Sequence, residues 1–311
     1  MVNGVIIIDK PSGKTSYDIV EDVKKTLCAR KAGHTGTLDP LATGVLPVCV
    51  NEGTKLARFF SMDSKEYKAT MLMGVETDTL DIEGNLTAKK KPDVARGDIE
   101  DVLNSLAGEI KQTPPRYSAI KFKGKPMYKW ARKGINLDLP GRMVKVHRIT
   151  LEDVKLPYVT FFVACSKGTY IRSLCADIGE KLGCGACLAG LRRIRSGAFG
   201  ERSALSLEGV HDQEKKVILK KNIISMVDAL PGFSTIRVNR KIEDRLRAGY
   251  QPVIGDLAEN HPSSLAVGDV VKIVSQGGGL VSLARMLYSF DKIPSLDSGE
   301  QIAKILRVFN C

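Results

Sequence analysis

The sequence predicts an α+β protein in two parts: a mixed central β-sheet flanked by helices and loops, then a small β-barrel-like module. Three observations point there. Strand-length apolar runs alternate with single stretches of helical period from residue 5 to residue 182, which argues for one mixed sheet. Beyond Pro231-Gly232 the apolar runs are short and separated by glycine-rich turns, as in a β-rich unit. With 311 residues, 43% hydrophobic and 26% charged, the chain can bury two cores and is too apolar for disorder. The expected division is 1–231 and 232–311.

Residues 5–8 are all apolar and end in Asp9-Lys10-Pro11-Ser12-Gly13, a strand leaving into a tight turn. A helix follows, capped by Thr15 or Ser16, because Ile19, Val20, Val23 and Leu27 share one face at helical spacing. Strands are expected at 46–50 and 67–74, the second leading into an acidic turn, Glu76-Thr77-Asp78-Thr79-Leu80-Asp81. Asp98, with Asp101 three residues on, caps an amphipathic helix whose apolar face is Ile99, Val102, Leu103 and Leu106 and which ends at Gly108. Residues 159–166 are apolar on both faces, as in a covered central strand. Lys167-Gly168-Thr169 then opens a helix with Ile171, Leu174, Cys175, Ile178 and Leu182 on one side. In the C-terminal part, strand-like runs fall at 235–238, 270–274, 280–285 and 305–309, with Gly277-Gly278-Gly279 as a turn.

The net charge is +12, and one segment holds almost all of it. Residues 111–148 carry eleven Lys or Arg and one acid, Asp138, while the rest of the chain has 36 basic against 34 acidic residues. The segment interleaves Tyr117, Phe122, Tyr128 and Trp130 with Lys121, Lys123, Lys129 and Arg132, the make-up of a groove for phosphates and splayed bases. Pro114, Pro115, Gly124, Pro126 and Gly134 break any long amphipathic helix, which weighs against a membrane surface. There is no run of about 18 apolar residues, and Asp9 interrupts any leader-like core, so a soluble cytoplasmic protein is expected. Seven cysteines without regular spacing fit free thiols better than a disulfide framework. Cys184-Gly185-Ala186-Cys187 has no second Cys or His pair beside it to complete a zinc site, so no metal is expected.

The most informative stretch is residues 33–47, Gly-His-Thr-Gly-Thr-Leu-Asp-Pro-Leu-Ala-Thr-Gly-Val-Leu-Pro. Three glycines and two prolines make a stiff loop, and Pro40 biases its only acid, Asp39, toward extended backbone. Taken alone, an Asp-Pro in such a loop serves equally as a turn former or a cap, so the loop marks a site without specifying chemistry.

Its wording, however, closely resembles the signature of the bacterial tRNA pseudouridine synthase B family, in which this Asp is the nucleophile. Lys65-Glu66-Tyr67 and Thr77-Asp78-Thr79-Leu80-Asp81 are similar to the family's second motif, and Lys167-Gly168-Thr169-Tyr170-Ile171-Arg172-Ser173-Leu174 to its third. In family order these matches cover most of residues 4–200. The resemblance implies the pseudouridine synthase fold and a set of roles. Asp39 is the catalytic acid, Tyr67 packs on the target base, and Arg172 pairs with Asp39 and a second acid, Asp81. Leu191 lies against the base, His34 sits beside the flipped nucleotide, and Lys10-Pro11 supports the Asp loop. The C-terminal module resembles a PUA domain, an RNA-binding unit, and residues 111–148 resemble the insertion with which the bacterial family clamps the T arm of tRNA.

Physical chemistry agrees with this assignment. Turning uridine into its C-glycoside means cleaving N1–C1′, rotating the uracil and joining C5 to C1′. That is neither redox nor phosphoryl chemistry, so no cofactor is expected. It needs an ionised carboxylate in a site that excludes water. Arg172 is expected to keep Asp39 ionised, since an adjacent cation lowers an Asp pKa by about one to three units. Tyr67 offers an aromatic face and a phenol that could move a proton. A uridine stacked in an RNA loop must be flipped out to be reached, and a ring such as His34 suits the gap.

The expected function is therefore conversion of uridine 55 in the tRNA T loop, by base flipping, with neither a guide RNA nor an obligatory protein partner. Two alternatives stand beside it. One is a tRNA-binding or tRNA-folding protein with catalysis secondary, resting on the basic segment and the C-terminal module. The other is a guide-dependent synthase acting on ribosomal RNA, which the insertion disfavours.

Overall fold

Strand β1 (Gly4–Lys10) has two buried faces, and they define how the molecule is layered: Ile6 and Ile8 enter a core beneath helices, while Val5 and Ile7 enter a second core on the far side. The structure is a computed structural model and describes residues 2–61, 63–135, 137, 139–256 and 265–310, so that Asp138 lies outside the described residues.

Helix α1 (Ser16–Thr26) begins at Thr15, whose side chain accepts from Asp18 N while the Asp18 carboxylate accepts from Thr15 N, a reciprocal cap. Strands β2 (Ala32–His34) and β3 (Thr43–Val50) flank the glycine-rich loop, and a single turn of helix, α2 (Ala57–Phe60), leads to β4 (Lys65–Met73). Alternation along β4 sends Tyr67, Ala69, Met71 and Met73 into the helix-side core. The hairpin of β5 (Val75–Thr77) and β6 (Leu86–Lys89) carries the acidic turn. Helix α3 (Arg96–Ser105) starts earlier than its charge pattern suggests: Asp98 is not the cap but lies in the first turn, where its carboxylate accepts from Ala95 N.

Next come β7 (Gly108–Gln112), the small hairpin of β8 (Lys121–Phe122) and β9 (Lys125–Pro126), α4 (Met127–Ala131), β10 (Arg142–Lys155) and β11 (Tyr158–Cys165). Both ends of the basic segment thus lie in β7 and β10, which pair with each other in the main sheet, leaving 113–141 as the excursion. Strand β10 is masked in the sequence by its outward Lys145 and His147, which alternate with buried Val144 and Val146. Then follow α5 (Ile171–Lys181), β12 (Ala186–Ser196), β13 (Phe199–Gly200) and α6 (Asp212–Lys221). The C-terminal elements are β14 (Thr235–Val238), α7 (Arg240–Arg247), β15 (Val270–Ser275), β16 (Leu280–Met286) and β17 (Ala303–Val308).

The main sheet runs β1-β3-β12-β4-β11-β10-β7, with β2 added to β3 and β13 to β12. Neighbours along it are antiparallel except β3 and β12, which are parallel and meet only where Thr43 and Gly44 face Arg192 and Arg193. Gly44 has φ +100°, and a Cβ there would sit 2.2 Å from Arg193 O, so only glycine lets the two backbones converge. Helices α1, α3 and α5 cover one face through Ile19, Val23, Ile99, Leu103, Leu174 and Ile178.

Over β1 and β3 the opposite face is covered by the C-terminal module, whose Val274, Leu280, Leu283 and Phe309 join Val5, Ile7, Val45 and Cys49 in one core. The module is an open sheet ordered β14-β15-β16-β17, with β14 and β15 parallel. The expected barrel does not close among the described residues. Helix α7 buries Ile242 and Leu246 on the sheet and the shared core covers the other side, so both faces are buried without closure. Polar ties reinforce the contact: Lys55 Nζ donates to Val308 O (3.0 Å), Arg58 Nη2 to Leu306 O (2.6 Å) and Lys272 Nζ to Leu230 O (3.0 Å). Among the described residues no helix is long and apolar enough to cross a membrane, and the six described cysteines are unpaired.

Phe309 is wholly buried in the shared core. Phe309→Ala should lower unfolding free energy by about 3 to 5 kcal/mol, measured by urea denaturation; a change below about 1 kcal/mol would mean that the C-terminal strand adds little to the core.

Candidate active site

The loop between β2 and β3 is tied at alternate residues. Gly36 O accepts from Arg193 Nη2 (3.1 Å), Leu38 N and O both bond Ser16 Oγ (2.8 and 2.9 Å), and Pro40 O accepts from Gly13 N (2.9 Å) and Lys10 Nζ (3.2 Å). Ser16, one of the two candidate caps, is therefore the clamp on the residue before Asp39. Lys10 is wholly buried, and its ammonium also donates to Pro11 O and Lys14 O. All three of its protons are engaged by backbone, and it is not part of the cavity wall. It braces the Asp loop from behind.

Arg172 stands in the first turn of α5. Gln112, at the end of β7, fixes that turn by donating to Tyr170 O (3.1 Å) and accepting from Tyr170 N (2.7 Å). The guanidinium donates to Thr79 O (2.9 Å), Tyr117 O (2.8 Å) and Asp81 Oδ2 (3.4 Å), and its Nε forms an ion pair with Asp39 Oδ2 at 2.9 Å. Its side chain is 6% exposed, whereas that of Asp39 is 39% exposed, so the carboxylate is on the open side. Asp81 is held in turn by Thr79 Oγ1 (2.7 Å) and Glu83 N (3.2 Å).

In front of Asp39 lies a cavity of about 290 Å³ whose wall includes Asp39, Tyr67, Arg172 and Leu191, close to the lower end of the range for small-ligand sites. Four of the residues anticipated from sequence thus converge, with Asp81 directly behind. His34, half-buried, immediately precedes the wall residues of the loop and has an Nδ1 without a hydrogen-bond partner. Lys121, Lys123, Lys129 and Arg132 are exposed on the β8–β9 hairpin and α4, outside the cavity. The excursion that bears them begins at the wall, where Ser118 and Ala119 lie.

Sequence reasoning passed over Arg193, which is 1% exposed, lines the cavity and donates to Val45 O (2.7 Å) as well as Gly36 O. The available signal was spacing: residues 191 and 193 of one strand face the same side. Lys65 is also buried in the wall, its ammonium donating to Ser61 O (3.3 Å) and Asp63 O.

The electrostatics depart from expectation at Asp39. Burial pushes its carboxyl above the ordinary 3.8, the Arg172 guanidinium pulls it back down, and Asp81 adds to the upward push. The desolvation that sequence cannot show outweighs the ion pair. Burial also pushes the Tyr67 phenol up, opposed by Arg193, and lowers Lys10 to about 8, opposed by Asp39. His34 and Lys65 are lowered, first by burial. Among the described residues no cluster of three or more His, Cys, Asp or Glu could hold a metal.

Residues 24–171 match the TruB family pseudouridylate synthase N-terminal domain, and residues 172–230 the tRNA pseudouridylate synthase B C-terminal domain. A tRNA pseudouridine synthase B from Syntrophus aciditrophicus is 52% identical over 309 residues, 99% of each chain. Another from Geobacter sulfurreducens is 38% identical, covering 99% of this chain and 100% of the relative. Among solved structures, a Cbf5-Nop10-Gar1 complex contains a chain similar to this one at TM-score 0.75 and 30% identity, with 99% of this chain and 85% of that one covered.

Asp39 should titrate with a midpoint above 3.8 in carboxyl carbon NMR, and Arg172→Gln should move it higher, because the largest downward influence is removed. A native midpoint at or below 3.8 would contradict this electrostatic account.

Proposed function

The chain belongs to the TruB family of pseudouridylate synthases, and we propose that its target is uridine 55 in the T loop of tRNA, with Asp39 as nucleophile. It is an isomerase that converts uridine to pseudouridine in tRNA without a guide RNA. The observation that carries the assignment of roles is the Asp39–Arg172 ion pair of 2.9 Å at a cavity walled by Tyr67.

A flipped uridine enters the cavity with its ring between Tyr67 and Leu191. Asp39 faces that space as the covalent partner of the ribosyl-uracil unit, while N1–C1′ breaks, the uracil turns within the apolar walls and C5 joins C1′. The Tyr67 phenol stays protonated at neutral pH, because burial raises it, so it supplies its ring and O–H to the uracil, and the C5 proton passes to the Asp39 carboxylate once that is released and from there to water. Arg172 opposes protonation of Asp39 and fixes its orientation. His34 occupies the space vacated by the flipped nucleotide.

The excursion 113–141 clamps the T arm through Lys121, Lys123, Lys129 and Arg132, all exposed. Residues 1–231 form the catalytic unit and 232–311 a PUA-like RNA-binding unit, docked through the shared core. The enzyme works in the cytoplasm and needs no protein partner. Its high identity to curated tRNA pseudouridine synthase B chains supports this reading over the partner-bound arrangement of the Cbf5 complexes.

With tRNA tritiated at uracil C5, the native protein should release label to water. Asp39→Asn should slow release at least about 10⁴-fold, near 5.5 kcal/mol of barrier, with tRNA affinity largely kept. Comparable release by the variant would remove Asp39 as nucleophile.

Neutralising Lys121, Lys123, Lys129 and Arg132 in combination should weaken tRNA binding and reduce the slope of log affinity against log salt by about one per lost phosphate contact. An unchanged slope would mean that the excursion does not touch phosphate.

A further inference from the structure

The main sheet contains an internal arginine that the reaction as described does not use. Arg193 is 1% exposed and among the largest wholly buried side chains. Its neighbours on β12 behave differently: Arg192 pairs with Asp9 and Glu201, and Arg195 with Glu66, all at partly exposed positions. Among the described residues Arg193 has no carboxylate partner within ion-pair distance. Its hydrogen bonds go to the carbonyls of Val45 and Gly36, and Tyr67, directly across the β4–β12 pair, lines the same cavity wall beside it. An internal charge without a counter-ion is unfavourable, and an apolar residue would serve packing alone better.

Its connections explain the position. Val45 O belongs to β3, which leaves the Asp39 loop, and Gly36 O is within that loop. Tyr67 is the cross-strand partner of Arg193 in the β4–β12 register. One planar, five-donor fork therefore ties both ends of the Asp39 loop from a position beside the Tyr67 side chain. We propose that Arg193 is a positioning residue for the isomerisation, holding the Asp39 loop and the Tyr67 ring in a fixed mutual geometry from behind the cavity. Arg172 orients the carboxylate itself, whereas Arg193 sets the distance between the carboxylate's loop and the base platform. Catalytic groups must be held within roughly 0.5 Å of productive geometry, and a rigid fork meets that demand where a flexible ammonium does not.

The proposal rests on the roles proposed for Asp39 and Tyr67, and its test has an arm that needs no turnover. Arg193→Lys keeps the charge but cannot engage both carbonyls beside the phenol. Single-turnover tritium release should fall about 10- to 100-fold with tRNA affinity within about three-fold of native. Combined with Tyr67→Phe, the loss should be well below the product of the two single losses, because both act on one arrangement. Native-like release, or a fully multiplicative double variant, overturns the proposal. Independently, in the Tyr67→Phe protein the Arg193 guanidinium protons, followed by nitrogen-15 NMR, should shift and exchange faster with solvent. Unchanged resonances overturn the proposal even if Arg193→Lys fails to fold. A native protein that releases no label overturns the proposed function, while the resonance experiment still reads the coupling of Arg193 to Tyr67.

Discussion

A guanidinium fixed on every side determines where the rest of the site can be. Arg172 gathers groups from four separate stretches of chain: Asp39 from the glycine-rich loop, Thr79 and Asp81 from the acidic turn, Tyr117 from the start of the basic excursion, and its own helix α5. Burying that cation is unfavourable unless carboxylates and carbonyls surround it. The requirement makes the site a folding constraint, since none of the four stretches satisfies the charge alone. The result is asymmetric: the guanidinium is enclosed, and the paired carboxylate faces the cavity. The role proposed for Asp39 needs that asymmetry, because the acid must meet a substrate and the group holding it must not.

Much of this was readable from sequence, and the reasons differ by element. Strands with consecutive apolar residues, such as β1 and β11, announce themselves because both faces are covered at least in part. The four C-terminal strands were legible because glycine-rich turns bracket them. Strand β10 was not, since outward lysine, histidine and arginine residues disguise a two-residue period as a basic loop. Helix α7 was hidden likewise, with Ile242 and Leu246 the only apolar anchors in a charged octet. In the site, Asp39, Tyr67 and Arg172 were found because motifs name them. The clamping role of Ser16, and Gln112 and Arg193 altogether, were missed because their partners are backbone groups distant in sequence. Such bonds leave no pattern in composition or spacing, and only the folded chain reveals which carbonyl a side chain reaches.

The layering explains why the two units share a core. The face of the main sheet over β1 and β3 carries Val5, Ile7, Val45 and Cys49, apolar area that water would otherwise meet. Covering it with Val274, Leu280, Leu283 and Phe309 removes the need for a second layer of helices. This contact also stiffens β1 and β3 from outside. Those strands are the two roots of the Asp39 loop's supports, Lys10 at the end of β1 and Gly44 at the start of β3. Packing far from the cavity is thereby coupled to loop geometry through two strands that cannot shift independently.

The charge balance of the site depends on cations that are held in place. Arg172 and, more weakly, Lys10 act on Asp39, while burial and the neighbouring Asp81 disfavour its ionisation. When an RNA segment covers the cavity it removes the remaining water, which raises the cost of a charged carboxylate further. The same exclusion lowers the local dielectric and strengthens each surrounding cation. The two effects grow together, so a cation fixed beside the acid opposes its protonation more strongly as its solvent disappears. Phosphates of the substrate would compete for cations that were exposed and mobile. Here Lys10 and Arg193 are held by backbone carbonyls and Arg172 by carbonyls and carboxylates, so none can swing away to a phosphate. On the function proposed above, the phosphate contacts fall instead to the exposed lysines of the basic excursion, a division of labour set by burial.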